Sequence, residues 1–207
     1  MINKEVVLIG YSGHAFIIAD ILLKMGRTVT YYCEKQEKDQ NPYDLDYLGN
    51  EYEPDVLQKL QQYDYALAVG DNKLREKLFA MLSAKLYRPI NAIHPGATIS
   101  EKVSMGKGVM IAAGSVINPT ADIGDGVICN TACIIEHECR IGEFSHIAPS
   151  AVLLGKVAIG KSCLVGGSAV IKPGLTIGNH VTIGAGSVVL ENIPDGATVA
   201  GNPARKI

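Results

Sequence analysis

From Ile93 to Val188 the apolar and polar positions recur every six residues, with no insertion or deletion. The first residues of successive hexads are Ile93, Ile99, Met105, Ile111, Ile117, Ile123, Cys129, Ile135, Ile141, Ile147, Leu153, Ile159, Val165, Ile171, Ile177 and Ile183, all apolar. The fifth residues are small or medium, from Ala97 and Val103 through Cys133, Cys139 and Cys163 to Ser187, and glycine recurs at the second and fourth places. Such a period means a stacked solenoid, because each unit can bury its apolar edge only against its neighbours. Glycine-turned hexads with β-branched residues are too brief for helices and suit short strands. Three strands per coil make a triangular prism, and about five coils at roughly 4.8 Å each span on the order of 25 Å.

Ahead of the repeat the pattern changes. Val6 to Ile9 is an apolar run that predicts a buried strand, followed by the turn Gly10-Tyr11-Ser12-Gly13-His14. Residues 15 to 25 have helical spacing, with Phe16, Ala19, Leu22, Leu23 and Met25 near one face and Gly26 as terminator. Val29 to Cys33 predicts a second strand, and the polar, acidic residues 34 to 53 predict a loop. A short helix is expected over 54 to 62 after Pro54, and a third strand from Tyr65 to Val69, ending at Gly70. Asp71 or Asn72 caps a helix to about Leu86. The alternation predicts an α/β, Rossmann-like βαβαβ domain over residues 1–90. An all-β prism domain follows over residues 91–207, in which the tail Glu191 to Gly196 leaves the prism and Val199 to Ile207 closes the chain. In such α/β sheets ligands sit beyond the carboxyl ends of the strands, here Gly10 to His14, Glu34-Lys35 and Gly70 to Asn72.

Composition narrows the classes. A hydrophobic content of 47% over 207 residues supplies a core for one or two domains, and a net charge of −2 without a long basic run argues against nucleic acid as a partner. The N-terminal apolar run is too short for a signal peptide or a membrane span, so a soluble cytoplasmic protein is expected. Cys129, Cys133 and Cys139 are close enough to raise a metal site. The register speaks against it: Cys133, Cys139 and Cys163 hold the small fifth place, Cys129 holds the apolar first place, and no two stack on one line of the prism. They read as buried structural thiols, with no metal.

Glu136-His137-Glu138 stands out against this register. The first position faces the core, so His137 lies at or near the surface. A histidine beside a carboxylate is a general-base arrangement, in which the acid holds one tautomer and stabilises the imidazolium. The residue one coil later is Gly155, which leaves room for a substrate and offers a backbone N–H to a developing oxyanion. The bland alternative is a solvated face, with Glu138 paired to Lys156 one coil on. His146, by itself, reads as a turn histidine. Gly167 and Ala185 stack, and their small size leaves a wall against which an extended chain can lie. The front turn brings backbone N–H groups and a helix dipole towards an anion. It is neither G-x-G-x-x-G nor the G-x-S-x-G hydrolase elbow.

The repeat [Ile/Val/Leu]-Gly-x-x-[Ser/Ala/Val]-x resembles the hexapeptide acyltransferases, as does the ending Ala200-Gly201-Asn202-Pro203-Ala204-Arg205. The Gly-x-Ser-Gly-His turn, Gly70-Asp71-Asn72 and Ile135-Glu136-His137-Glu138-Cys139 resemble the PglD/NeuD-like sugar acetyltransferases, across essentially the whole chain. The resemblance implies a left-handed parallel β-helix, a homotrimer, and acetyl-CoA as co-substrate in the groove between subunits. It implies His137 and Glu138 as catalytic, Gly155 as oxyanion donor, and His146, Gly155, Gly167 and Ala185 at acetyl-CoA. It places a nucleotide-linked amino sugar on Ser12, Gly13, His14, Glu34, Lys35 and Gly70. The family often carries an acidic pair where this chain has Glu34-Lys35. The expected activity is N-acetylation of a UDP-4-amino-4,6-dideoxyhexose. The alternative is O-acetylation of sialic acid or another glycan sugar. A metal enzyme like the gamma carbonic anhydrases needs a histidine spacing that His137 lacks, and an ice-binding prism needs threonine files that are not present.

Overall fold

The computed structural model describes residues 4–86 and 89–207, and the chain divides into two compact units, Met1–Pro95 and Gly96–Ile207. The front unit holds a parallel sheet of β1 (Val6–Ile9), β2 (Val29–Cys33), β3 (Asp46–Gly49) and β4 (Asp64–Leu67), in the order β3-β2-β1-β4. Its helices are α1 (Gly13–Lys24), α2 (Pro54–Leu60) and α3 (Asn72–Ser83). All four residues of β1 are fully buried, as a central parallel strand covered on both faces requires. In the front unit the pattern missed β3, inside the span expected to be a loop. It is an edge strand paired with β2 through Tyr31↔Asp46 and Tyr32↔Tyr47, and its residues are exposed or half-buried. A strand with no buried face leaves no apolar signal. Helix α1 begins earlier than its apolar spacing, because Gly13 and His14 form a polar first turn. Helix α3 stops at Ser83, capped at its start by the Asp71 side chain, which accepts Leu74 N–H at 2.8 Å.

The sheet order reverses beside β1. From the central β1 the chain goes to β2 on one side and, later, to β4 on the other. A crevice at such a reversal lies outside the carboxyl ends of the two diverging strands. Those ends carry Gly10 to His14 and Gly70.

The second unit is a parallel β-helix with three faces. One is built from Thr98–Ile99, Val116–Ile117, Ile134–Ile135, Val152–Leu153, Val170–Ile171 and Val188–Val189. The next in chain order is built from Ser104–Met105, Asp122–Ile123, Arg140–Ile141, Ala158–Ile159 and Thr176–Ile177. The third includes Met110–Ile111, Ile128–Cys129, His146–Ile147, Leu164–Val165 and Thr182–Ile183. Each strand's second residue is the first of a hexad and points inward, and from Ile111 to Val189 every one is buried. A buried side chain of this size is worth about 1.5–3 kcal/mol of burial, repeated coil after coil. The outward residues differ by face. The first presents Val116, Ile134, Val152, Val170 and Val188, and the second Ser104, Asp122, Arg140 and Thr176.

The corners carry the glycines for two separate reasons. At the second hexad position, a Cβ on Gly142 would lie 2.5 Å from the backbone of Gly160 one coil on, so contact between coils excludes a side chain. At the fourth position the backbone is left-handed in every hexad from Gly108 to Gly186, with φ between 52° and 73°. Non-glycine residues tolerate this strained region because the N–H there is fixed to a carbonyl one coil earlier, as in Ser150 to Thr131 and Ser168 to Pro149, both 2.9 Å.

All five cysteines are buried and free, and those of the prism line its interior. Among the described residues no group of His, Cys, Asp or Glu is arranged to hold a metal, and no helix is long and apolar enough to cross a membrane. The tail does not leave the prism as the sequence suggested. Ile193 bridges Ile177 and Thr198 pairs with Thr182, so a last coil continues the stack with two residues fewer. Arg205–Lys206 then folds back antiparallel on Thr198–Ala200.

Candidate active site

His137 and Glu138 occupy the corner between the aliphatic face and the polar face. Glu138 holds the left-handed fourth position, φ 60°, and its N–H donates to Pro119 O at 3.2 Å. That geometry puts its carboxylate Oε2 3.0 Å from His137 Nδ1, with the two side chains 55% and 51% exposed. Lys156, one coil on, has Nζ 3.8 Å from the same Oε2. The carboxylate is a pure acceptor, so in the neutral ring Nδ1 carries the proton and Nε2 keeps its lone pair. The Nε2 edge faces Gly155: a Cβ built on that glycine would lie 2.6 Å from Nε2.

The Gly155 N–H has no hydrogen-bond partner among the described residues, and the reason is local. At the same hexad position Lys107, Lys161 and Asn179 give their N–H groups to side-chain oxygens of Asp125, Asn179 and Asp195 on the following coil. Below Gly155 the corresponding residue is Pro173, whose side chain offers no acceptor. A basic imidazole nitrogen and an uncommitted N–H therefore border one space. That pair can accept a proton from a nucleophile and stabilise an oxyanion.

A second cluster lies on another corner. His146 projects from the third face and its Nε2 sits 3.1 Å from Asn130 Nδ2. Asn130 Oδ1 is taken by Thr131 N–H at 2.8 Å, which fixes the amide and makes His146 Nε2 the acceptor. Gly167 and Ala185 stack on this corner, where Gly186 N–H donates to Gly167 O at 2.8 Å. Within one chain the aliphatic face separates this corner from that of His137 and Gly155. Asn130 is not among the residues singled out from the sequence, although its signal is present there. Its file of second positions otherwise holds Ala112, Ala148, Gly166 and Gly184, and a buried asparagine interrupts it.

In the front unit Ser12 precedes α1 in extended conformation, and its side chain makes no capping bond. A Cβ on Gly13 would meet nothing within 4 Å, whereas one on Gly10, at φ +95°, would lie 2.6 Å from Val69 Cγ2. Gly10 thus serves the turn, and Gly13 borders open space. Gly70 lies against the His14 ring, 3.5 Å from where its Cβ would stand to Cγ. Burial, aided by the charge of Arg75, pulls the His14 pKa down to about 4, so the ring is neutral at ordinary pH. Glu34 is turned inward: its carboxylate accepts Tyr11 N–H at 3.3 Å and Lys35 N–H at 3.0 Å, and Lys38 stands at 3.8 Å. It braces the glycine turn that precedes α1.

An α/β sheet with an open switch point, joined to a hexapeptide prism with a histidine–carboxylate corner, defines a transferase of the hexapeptide-repeat class. Residues 5–82 match the family model of the PglD N-terminal domain, and residues 156–191 match the bacterial transferase hexapeptide model of six repeats. The acetyltransferase domain of PglB from Neisseria gonorrhoeae, solved with acetyl coenzyme A, is 32% identical, with 99% of this chain and 100% of that one covered and a TM-score of 0.93. PerB from Caulobacter crescentus, solved with CoA and GDP-perosamine, is 34% identical over 98% of this chain and 97% of its own, with a TM-score of 0.92. WeeI from Acinetobacter baumannii shares the fold at 23% identity, covering 98% and 99% of the two chains, with a TM-score of 0.89. The chain belongs to the PglD-like sugar acetyltransferases.

Proposed function

We propose that the protein transfers the acetyl group of acetyl-CoA to the amine of a nucleotide-linked amino sugar, with a UDP-4-amino-4,6-dideoxyhexose as the expected acceptor. The observation that carries the chemistry is the His137 ring, held at Nδ1 by Glu138 and open at Nε2 towards Gly155. The sugar amine attacks the thioester carbonyl while His137 Nε2 takes its proton. The oxyanion of the tetrahedral intermediate is met by Gly155 N–H. Collapse breaks the C–S bond, and the imidazolium returns the proton to the departing thiolate. General-base assistance of this kind contributes about 10²–10⁴-fold. No covalent enzyme intermediate and no metal take part in this sequence.

The nucleotide sugar is assigned to Ser12, Gly13, His14, Glu34, Lys35 and Gly70. The switch point between β1 and β4 and the open space at Gly13, where α1 begins, support that assignment. Acetyl-CoA is assigned to His146, Gly155, Gly167 and Ala185. Because His146, Gly167 and Ala185 lie across the aliphatic face from His137, one copy alone does not hold all of these groups together. Copies packed around a threefold axis on Val116, Ile134, Val152, Val170 and Val188 would bring the coenzyme corner of one towards the base of the next. A homotrimer is therefore part of the proposal, as is a cytoplasmic setting.

A GDP-linked acceptor is the second reading, favoured by the GDP-perosamine bound to PerB. Acetyl-CoA incubated with a panel of UDP- and GDP-amino sugars and with sialic acid, read as a gain of one acetyl mass, tests both. Acetylation of sialic acid with no amino sugar modified would overturn the acceptor class. Full activity of His137→Ala would overturn the mechanism.

A further inference from the structure

The front unit buries a cation in an unusual way. Arg75, on α3, is 1% exposed and shares the apolar side of that helix with Leu78, Phe79 and Leu82. A buried guanidinium is tolerated only when its donors are used. Here Nη1 donates to the carbonyl oxygens of Val69 at 3.2 Å and Gly70 at 2.9 Å, and Nη2 to Asn72 Oδ1 at 2.8 Å. Burial lowers the Arg75 pKa to about 10, which leaves it charged at neutral pH. The ion thus grips the loop between β4 and α3 by its backbone.

That grip has a directional consequence. In a planar trans peptide the C=O and the following N–H point opposite ways. With the carbonyls of Val69 and Gly70 drawn to the guanidinium, the N–H groups of Gly70 and Asp71 are turned away from it. Neither N–H has a hydrogen-bond partner among the described residues. They lie at the carboxyl end of β4, beside the neutral His14 ring and at the switch point of the sheet.

We propose that Arg75 is a positioning residue for the sugar-nucleotide acceptor: through the carbonyls of Val69 and Gly70 it aims the Gly70 and Asp71 N–H groups at the oxygen atoms of that substrate. The inference rests on the front unit being the sugar-nucleotide site. It separates two jobs in Gly70-Asp71-Asn72-Lys73-Leu74-Arg75: Asp71 caps α3, whereas Asn72 and Arg75 orient the loop.

The test uses Arg75→Lys in the full-length enzyme, because lysine keeps the charge but cannot span three oxygens from one planar head. The KM for the sugar nucleotide should rise at least about tenfold, while kcat and the KM for acetyl-CoA stay within about twofold. In ¹⁵N-labelled protein, saturating sugar nucleotide should shift the Gly70 and Asp71 amide signals in the wild type and less in the variant. Asn72→Ala, which removes the Oδ1 acceptor of Nη2, should give a smaller rise in KM and reads the same point if Arg75→Lys does not fold. An unchanged sugar-nucleotide KM in a folded variant, or an equal loss in kcat and both KM values, would overturn the positioning role. Calorimetry separates the two layers. If the wild type binds no sugar nucleotide, the site assignment and the Arg75 role both fall; if wild type and variant bind it equally, only the role of Arg75 falls.

Discussion

Gly155 stands beside His137 with no room for a side chain: a Cβ at Gly155 would come within 2.6 Å of Nε2 and 2.7 Å of Cε1. The two residues occupy the same hexad position on consecutive coils, and the glycine backbone is not in the left-handed region there. An alanine therefore suits the main chain and collides only with the end of a flexible ring. Gly155→Ala should fold and melt like the wild type, with the imidazole displaced. We expect kcat to fall on the order of 10², the lower range of general-base assistance. Steady-state kinetics beside a thermal melt checks this; near-normal turnover would remove Gly155 from the site.

Glu138 holds the tautomer of His137 from an exposed position, so its contribution should be smaller than that of the base itself. Glu138→Gln should lower kcat by about tenfold, between wild type and His137→Ala. Lys156 shares the same carboxylate oxygen at 3.8 Å, but both side chains are more than half exposed. Lys156→Ala should change kcat by less than about threefold, since exposed pairs contribute little. A Lys156→Ala loss as deep as that of His137→Ala would show that the lysine acts in the reaction.

Two glycines three residues apart should behave in opposite ways. Gly10 sits at φ +95° against Val69, so Gly10→Ala should lower stability by about 1 kcal/mol or more. Gly13 opens α1 into free space, so Gly13→Ala should hold or raise the melting temperature while weakening binding of the sugar nucleotide. Denaturation curves and binding titrations on the pair distinguish a scaffold glycine from one at a ligand.

Acid should destabilise the front unit through His14. The folded pKa, about 4, lies below the unfolded value of 6.5, so between them the unfolded chain binds the extra proton. The stabilisation is complete above pH 6.5 and is lost as pH falls towards 4. His14→Gln should flatten the fall in unfolding midpoint across that window. An identical slope in wild type and variant would assign the acid sensitivity to other groups.

The aliphatic face predicts assembly. Val152→Glu places a charge in the middle of the Val116 to Val188 stripe without touching the inward residue Leu153, which is fully buried. Light scattering should show a trimer for the wild type and a shift to monomer for Val152→Glu. Under the proposed trimeric arrangement activity should fall with the shift, because the His137 corner of one copy and the His146 corner of the next are then on separate particles.

Much of this was legible along the chain, and the rest was hidden for identifiable reasons. The hexad register put Gly155 beside His137 and sent Cys129, Cys133, Cys139 and Cys163 into the wall, because a strict period converts sequence spacing directly into stacking. It could not show β3, whose residues bury no face, nor the shortened last coil, where Ile193 meets Ile177 after the period has slipped. Asn130 and Arg75 were visible as polar residues in apolar files, but that Asn130 meets His146 and that Arg75 turns back onto the carbonyls of Val69 and Gly70 depends on how the backbone folds there. Spacing alone does not aim a side chain.

By itself the sequence determined the coil, the core and the neighbours of His137, since in a solenoid each residue touches what lies one period away. The tertiary structure decided which nitrogen of His137 faces Gly155. It decided that Pro173 leaves the Gly155 N–H uncommitted, that Arg75 turns the Gly70 loop, and that the aliphatic face separates the His137 corner from the His146 corner. Those depend on hydrogen-bond direction and on which corner a residue occupies, and direction is a property of the folded backbone.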